Sequence, residues 1–279
     1  MVNQLYFEVY DTSSNQSASL SEPDLSREPV DPVPKLFLNG IGMTANHWKP
    51  LISDLNAGIN LLHDFKDQLR SPKSPESYFM DSHAHELAEL LNHRGIQQVD
   101  CIGTSYGSEV AMILALEYPH LVRSLVLIDG VSYSDPKLKA AVESWKHAAL
   151  VDPRVFYRSL IPWNYSSDYI AHHKDELAQR EEGVVGLPKE FFEGFARLCD
   201  SFLGFSITHR LSEITCPTLV LVGEEDILKT PEYSRVIHKS IKGSQFLMIP
   251  GAGHAVVIEQ PKKLAQEITR FYRSTFSAS

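Results

Sequence analysis

Three residues that together can break an acyl bond occur in one order along the chain. Ser105 lies within Gly103-Thr104-Ser105-Tyr106-Gly107, Asp226 closes TLVLVGEED, and His254 follows QFLMIPGAG. A serine hydroxyl is a weak nucleophile until a base takes its proton and a carboxylate orients that base and stabilises its cation. Ser105 sits where an apolar strand-like run, VDCIG, turns abruptly into a long apolar helix-like run. Such a turn forces unusual backbone angles, which explains the small residues two positions away on either side. It would hold the hydroxyl out at the carboxyl edge of a sheet, with the first amides of the helix facing any negative charge that develops beside it. Asp129, which ends SLVLIDG, is a second carboxylate at a strand end and the second choice for orienting the histidine.

The elements that must position these residues follow from hydrophobic pattern. QLYFEVY (4–10) alternates, whereas KLFLNG (35–40), INLLHDF (59–65), QVDCIG (98–103), SLVLIDG (124–130), TLVLVGEED (218–226) and QFLMIPG (245–251) are continuously apolar. Continuous runs of that length mark strands buried on both faces. Helical spacing is found near Pro50–Leu55, Ser82–His93, Ser108–Glu117, Pro231–Ser240 and Pro261–Tyr272, several opening with proline in the first turn. The fold class expected is α/β, a mostly parallel central sheet with helices on both faces. Between Val131 and Ile214 the alternation stops, and PKLKAAVESWKHAAL and LPKEFFEGFARLCDSFLGF carry apolar residues at helical spacing. Residues 131–214 are read as a helical cap, with 1–130 and 215–279 forming the core. Trp145, Phe156, Tyr157, Trp163, Phe191 and Phe195 would give it an apolar pocket wall.

Composition narrows the partners. The 279 residues carry a formal net charge of -9, so no broad positive field exists to hold nucleic acid or anionic lipid. A small, uncharged or weakly charged molecule is the expected partner. Cys101, Cys199 and Cys216 are odd in number and far apart, which suggests neither a disulfide framework nor a metal site. MVNQLYFEVYD lacks a basic stretch followed by an apolar one, and no apolar run approaches membrane-spanning length, so a cytoplasmic location is expected. The segment from 11 to 34 is polar and contains Pro23, Pro29, Pro32 and Pro34, the composition of a long surface loop.

GTSYG, GEED and GAGH followed by VVIEQP match the motifs of the α/β-hydrolase superfamily in content and order, and the chain resembles that family over nearly its whole length. The resemblance implies an α/β-hydrolase fold, with Ser105, Asp226 and His254 as catalytic residues. It also implies an oxyanion hole from the backbone amides of Ile41 and Tyr106, and no metal or cofactor. FLNGIGMTANHW, with Asn39-Gly40 where the family usually has His-Gly, is most similar to members close to 3-oxoadipate enol-lactonases and carboxylesterases. Two departures stand out: Asp64-Phe65-Lys66-Asp67-Gln68-Leu69-Arg70-Ser71 lacks the family's usual glycines, and Ser108 replaces a second glycine after the elbow. The expected activity is hydrolysis of a carboxylic ester or lactone through an acyl-enzyme.

Two other classes compete. Gly40-Ile41-Gly42-Met43-Thr44-Ala45 with Asp64 beyond it fits a dinucleotide fingerprint, but that fold needs a helix beginning inside the glycine run, and Pro50 marks a fresh start instead. A non-catalytic small-ligand receptor on the same scaffold would keep pocket and cap while losing chemistry. His83-Ala84-His85 and His172-His173 are read as solvated helix faces rather than metal ligands.

Overall fold

A computed structural model describes residues 5–12, 33–55 and 58–276. Most of the polar segment from 11 to 34 lies outside the described residues. The sheet contains β1 (Phe7–Asp11), β2 (Lys35–Leu38), β3 (Ile59–His63), β4 (Val99–Thr104), β5 (Val122–Ile128), β6 (Thr218–Gly223) and β7 (Gln245–Ile249). Their order is β1-β3-β2-β4-β5-β6-β7; β1 pairs antiparallel with β3, and every other pair is parallel. The reading of an α/β fold with a mostly parallel sheet therefore holds.

Burial follows position in the sheet. Every residue of β2, β4 and β6 is buried, whereas the edge strands β1 and β7 are partly open. Successive side chains point to opposite faces, so Leu36, Leu38 and Cys101 join one core cluster while Phe37 and Ile102 join the other. The first cluster is covered by α2 (Asp81–His93) and α3 (Tyr106–Glu117), and by Ile237 of α9 (Pro231–Ser240). The second is covered by α1 (Lys49–Leu55) and α11 (Pro261–Phe276). Helix α1 begins at Lys49, after a short 3₁₀ turn over Ala45–Trp48. No α-helix starts inside Gly40–Ala45, which removes the phosphate-cradling geometry a dinucleotide fold requires.

Between β5 and β6 run α4 (Pro136–Val151), α5 (Pro153–Asn164), α6 (Ser167–His172), α7 (Lys174–Val185) and α8 (Lys189–Leu203). Asp135, Asp152 and Ser166 cap α4, α5 and α6 by accepting first-turn N–H groups, which satisfies donors that a helix start leaves free. The short α10 (Val256–Glu259) follows β7. Because β2, β4, β5, β6 and β7 are adjacent and parallel, the segments after their carboxyl ends meet at one sheet edge. Asn39–Ile41, Ser105, Asp129, Asp226 and His254 all belong to those segments.

Candidate active site

Ser105 has φ 52° and ψ −117°, a conformation rarely adopted by a residue with a side chain. Its N–H donates to the Ile128 carbonyl at 2.8 Å, which fixes the turn against β5. The flanking glycines are obligatory for contact rather than flexibility. A Cβ at Gly103 would lie 2.4 Å from the Gly107 carbonyl oxygen, and one at Gly107 would lie 2.1 Å from that of Leu38. Ser108, the departure from a second glycine, accepts the Ile128 N–H at 3.0 Å and lies 2.7 Å from the Gly103 carbonyl oxygen, to which it donates. The extra hydroxyl thus ties the elbow to β4 and β5.

The structure brings the three sequence-derived residues together. His254 Nε2 is 2.9 Å from Ser105 Oγ, and His254 Nδ1 is 2.7 Å from Asp226 Oδ2. The other Asp226 oxygen accepts the N–H groups of Leu228 and Lys229 at 2.9 and 2.8 Å, so the carboxylate is held at both ends. Asp129, the second choice, does not bond the histidine. One of its oxygens accepts the Gly223 N–H at 2.9 Å and the other is buried without a partner among the described residues. Burial first, and the neighbouring Asp226 second, raise the pKa of its carboxyl well above the ordinary carboxylate range.

Ile41 and Tyr106 line the same cavity as Ser105, and among the described residues no acceptor takes the N–H of either. The loop carrying Ile41 is tied into a buried polar network. Asn39 donates to Asp64 and Gln68 and accepts from the Trp48 indole at 2.8 Å. Asp64 also takes the Ala45 N–H at 2.8 Å and Arg70 Nε at 2.8 Å, which leaves it committed to this framework instead of open to a ribose. The segment Asp64–Ser71 reaches its shape without glycine because Asp67 itself adopts φ 72°. Arg197 of α8 grips the Asp67 carboxylate with contacts of 2.7 to 3.1 Å.

Residues 36–267 match the model of the alpha/beta hydrolase family. The chain belongs to that family. A curated relative from Stutzerimonas stutzeri, named as a candidate carbamate hydrolase, RutD, is 29% identical, covering 84% of this chain and 89% of its own. Among solved structures, MGS-M2, an alpha/beta hydrolase enzyme from a Medee basin deep-sea metagenome library, superposes with TM-score 0.85 at 27% identity, covering 96% of this chain and 94% of that one. A thermophilic esterase from Thermogutta terrifontis superposes at 0.79 with 25% identity, covering 97% and 93%.

In this hydrolase the Ser105–His254 pair opens onto a cavity of about 390 Å³. Its wall includes Val142, Trp145, Phe156, Val184, Phe191 and Phe195 from the helices between β5 and β6. Trp163 does not line it; the ring stands edge-on behind Trp145, with centroids 6.4 Å apart. Two supporting carboxylates escaped sequence reasoning. Glu109, fully buried in α3, pairs with Lys229 Nζ at 2.8 Å and accepts the Val131 N–H at 2.8 Å, clipping the Asp226 loop to the elbow helix. Its charge inside the apolar run YGSEVAMILALE was the available signal. Glu259 accepts the Gly253 N–H at 3.1 Å and the Ser166 hydroxyl at 2.6 Å, so the His254 loop is stapled to the start of α6. His83 is the opposite surprise. It is fully buried against Phe65, Tyr78 and Tyr106, while His85 stays exposed; the helix turns its first histidine inward because aromatic rings there complete the core.

Proposed function

We propose that this hydrolase cleaves a carboxylic ester or lactone of a small molecule through an acyl-enzyme on Ser105. The observation that carries the reading is the unbroken hydrogen-bonded line from Asp226 through His254 to Ser105 at the wall of an apolar cavity. Ser105 Oγ attacks the carbonyl carbon while its proton passes to His254 Nε2, and Asp226 stabilises the imidazolium that results. The Ile41 and Tyr106 N–H groups hold the oxyanion of the tetrahedral intermediate. As that intermediate collapses, the leaving alkoxide takes the proton from His254. Water then attacks the acyl carbon, giving a proton to the same nitrogen; as this second tetrahedral intermediate collapses, its bond to Ser105 Oγ breaks, His254 returns the proton to that oxygen, and the carboxylic acid leaves. In this reading residues 131–214 act as a cap over a core of 1–130 and 215–279. Cys101 and Cys199 are buried free thiols, which favours a reducing, cytoplasmic setting.

Steady-state hydrolysis of short acyl esters, lactones, thioesters and carbamates by the parent and by Ser105→Ala tests this. The parent should prefer esters or lactones, and Ser105→Ala should lose at least about a thousandfold in kcat, because the nucleophile is gone while the oxyanion donors remain. Equal turnover by the folded variant would overturn the reading. Saturable binding of these compounds by the parent without turnover would favour a ligand receptor.

A further inference from the structure

Gln68 lies in the segment that departs from the family pattern, and it is almost completely buried. All of its hydrogen-bonding capacity is used. Oε1 accepts Asn39 Nδ2 at 3.0 Å and the Phe65 N–H at 2.9 Å, while Nε2 donates to the carbonyls of Gly40 at 2.8 Å and Ile41 at 3.3 Å. With two N–H groups on one side and two carbonyls on the other, the amide has a single workable orientation.

The Gly40 carbonyl and the Ile41 N–H belong to one peptide group. That group is trans and planar, so the two bonds point in opposite directions. Pinning the carbonyl on one side therefore aims the N–H on the other, and donation to the oxygen also polarises the amide toward a stronger N–H donor. The peptide stands against the nucleophile: a Cβ added at Gly40 would lie 3.6 Å from Ser105 Cβ. Gly40 accepts a second bond from the Met43 N–H at 3.0 Å, which closes the turn but comes from the same loop. Among the described residues, Gln68 alone ties the carbonyl to the framework after β3, through the Asn39–Asp64 network.

We infer that Gln68 is a positioning residue for the oxyanion hole, holding the Gly40–Ile41 peptide so that its N–H meets the negative charge formed during attack by Ser105. This rests on the serine-hydrolase reading of the site. Gln68 does not line the cavity, so its loss should slow the chemical step while leaving ground-state binding nearly intact.

The test follows the rate at which a fluorophosphonate labels Ser105, because this needs no knowledge of the natural ester. Ser105 Oγ forms a bond to phosphorus, fluoride leaves with the P–F electron pair, and the serine proton passes to His254. Charge on the phosphoryl oxygen draws on the same N–H donors. Gln68→Met removes both halves of the amide's bonding; Gln68→Glu keeps an acceptor for Asn39 and Phe65 and loses the donor to Gly40. Loss of one direct oxyanion donor costs about a hundred- to a thousandfold. Misaiming one should slow labelling by about ten- to a hundredfold, with kcat on the best ester falling in parallel and KM within about twofold. Folding is checked by circular dichroism and thermal melting. Labelling within threefold of the parent by either folded variant overturns the inference while leaving the serine-hydrolase reading standing. So does a loss carried by KM, and so does failure of both variants to fold, which would make Gln68 a framework residue. An unlabelled Ser105 in the folded parent overturns both readings together.

Discussion

The sheet edge and the five helices above it are held by different means. At the edge, placement is enforced by backbone: Gly103 and Gly107 approach neighbouring carbonyls too closely for any Cβ, Gly223 would meet the Gly253 carbonyl oxygen at 2.2 Å, and Ser105 and Asp129 hold left-handed φ values of 52° and 51°. Among the helices, Gly183, Gly186 and Gly204 face no contact closer than 3.6 Å, although Gly194 of α8 would meet the Asp67 carbonyl oxygen at 2.5 Å, and the cavity wall is built from apolar side chains that many sequences could replace. The Ser105–His254–Asp226 line is set where the main chain has little freedom, and most of the cavity wall where it has more.

The largest way to break that contrast is a pair of glycine substitutions. Gly107→Ala forces a methyl to 2.1 Å from the Leu38 carbonyl oxygen, a clash with backbone on both sides, and should abolish folded, soluble protein or lower Tm by more than 10 °C, on the order of several kcal/mol. Gly183→Ala, inside α7 with nothing near its added Cβ, should keep or raise Tm, because alanine is favoured over glycine in a helix by up to about 1 kcal/mol. Thermal melting of both variants decides it. Equal damage from the two would mean the regions are not held differently.

The same division explains what was legible in the sequence. Parallel strands, the elbow and the order Ser105, Asp226, His254 could be read because buried strands need continuous apolar runs and the turn needs glycines at fixed spacing. The choice between Asp226 and Asp129 could not, since both close apolar strands; the decision rests on the Leu228 and Lys229 amides that hold Asp226 against His254. Trp163 could not be told from Trp145, because aromatic periodicity marks an inward helix face but not whether that face meets a cavity or another ring. Gln68 was hidden for a further reason. Its partners on the Asn39–Ile41 segment lie 27 to 29 positions away, and a polar residue in a polar loop carries no local sign of burial.

Replacing each carboxyl at the edge by an amide sharpens the comparison within the site. Asp226→Asn should lower kcat by at least about a hundredfold, because His254 then lacks the anion that stabilises its cation and sets its tautomer. Asp129→Asn should stay within about threefold, since Asp129 does not bond His254 and an amide oxygen can still accept the Gly223 N–H. Comparing kcat of the two variants on one ester tests the assignment, and greater damage from Asp129→Asn would reverse it.

In the helical region, Trp145 lines the cavity and Trp163 stands behind it. Trp145→Leu should open space and shift the preferred acyl length, by about tenfold in relative kcat/KM between a short and a longer chain, given about 1 to 3 kcal/mol per methylene in an apolar pocket. Trp163→Leu should change that ranking by less than about threefold. An acyl-length series assayed on both variants checks the difference, and an unchanged ranking in Trp145→Leu would remove the helices from substrate choice.

The smallest expected effect concerns the pH dependence of stability. Burial and the adjacent Asp226 raise Asp129 well above its ordinary range, so between the unfolded value near 4 and its folded value Asp129 binds a proton in the native state that the unfolded chain has released. Stability then falls as pH rises through that window, because the native state holds the extra proton. Asp129→Asn has no proton to lose and still offers an oxygen to the Gly223 N–H. Its Tm should match the parent near pH 4.5 and exceed it by a few degrees near pH 8, since about 1 kcal/mol moves Tm by roughly 2 to 4 °C in a chain of this general size. Melting curves across that range provide the measurement. A constant Tm difference at every pH would show that the carboxyl titrates alike in both states, and burial beside Asp226 would then not be what holds its proton.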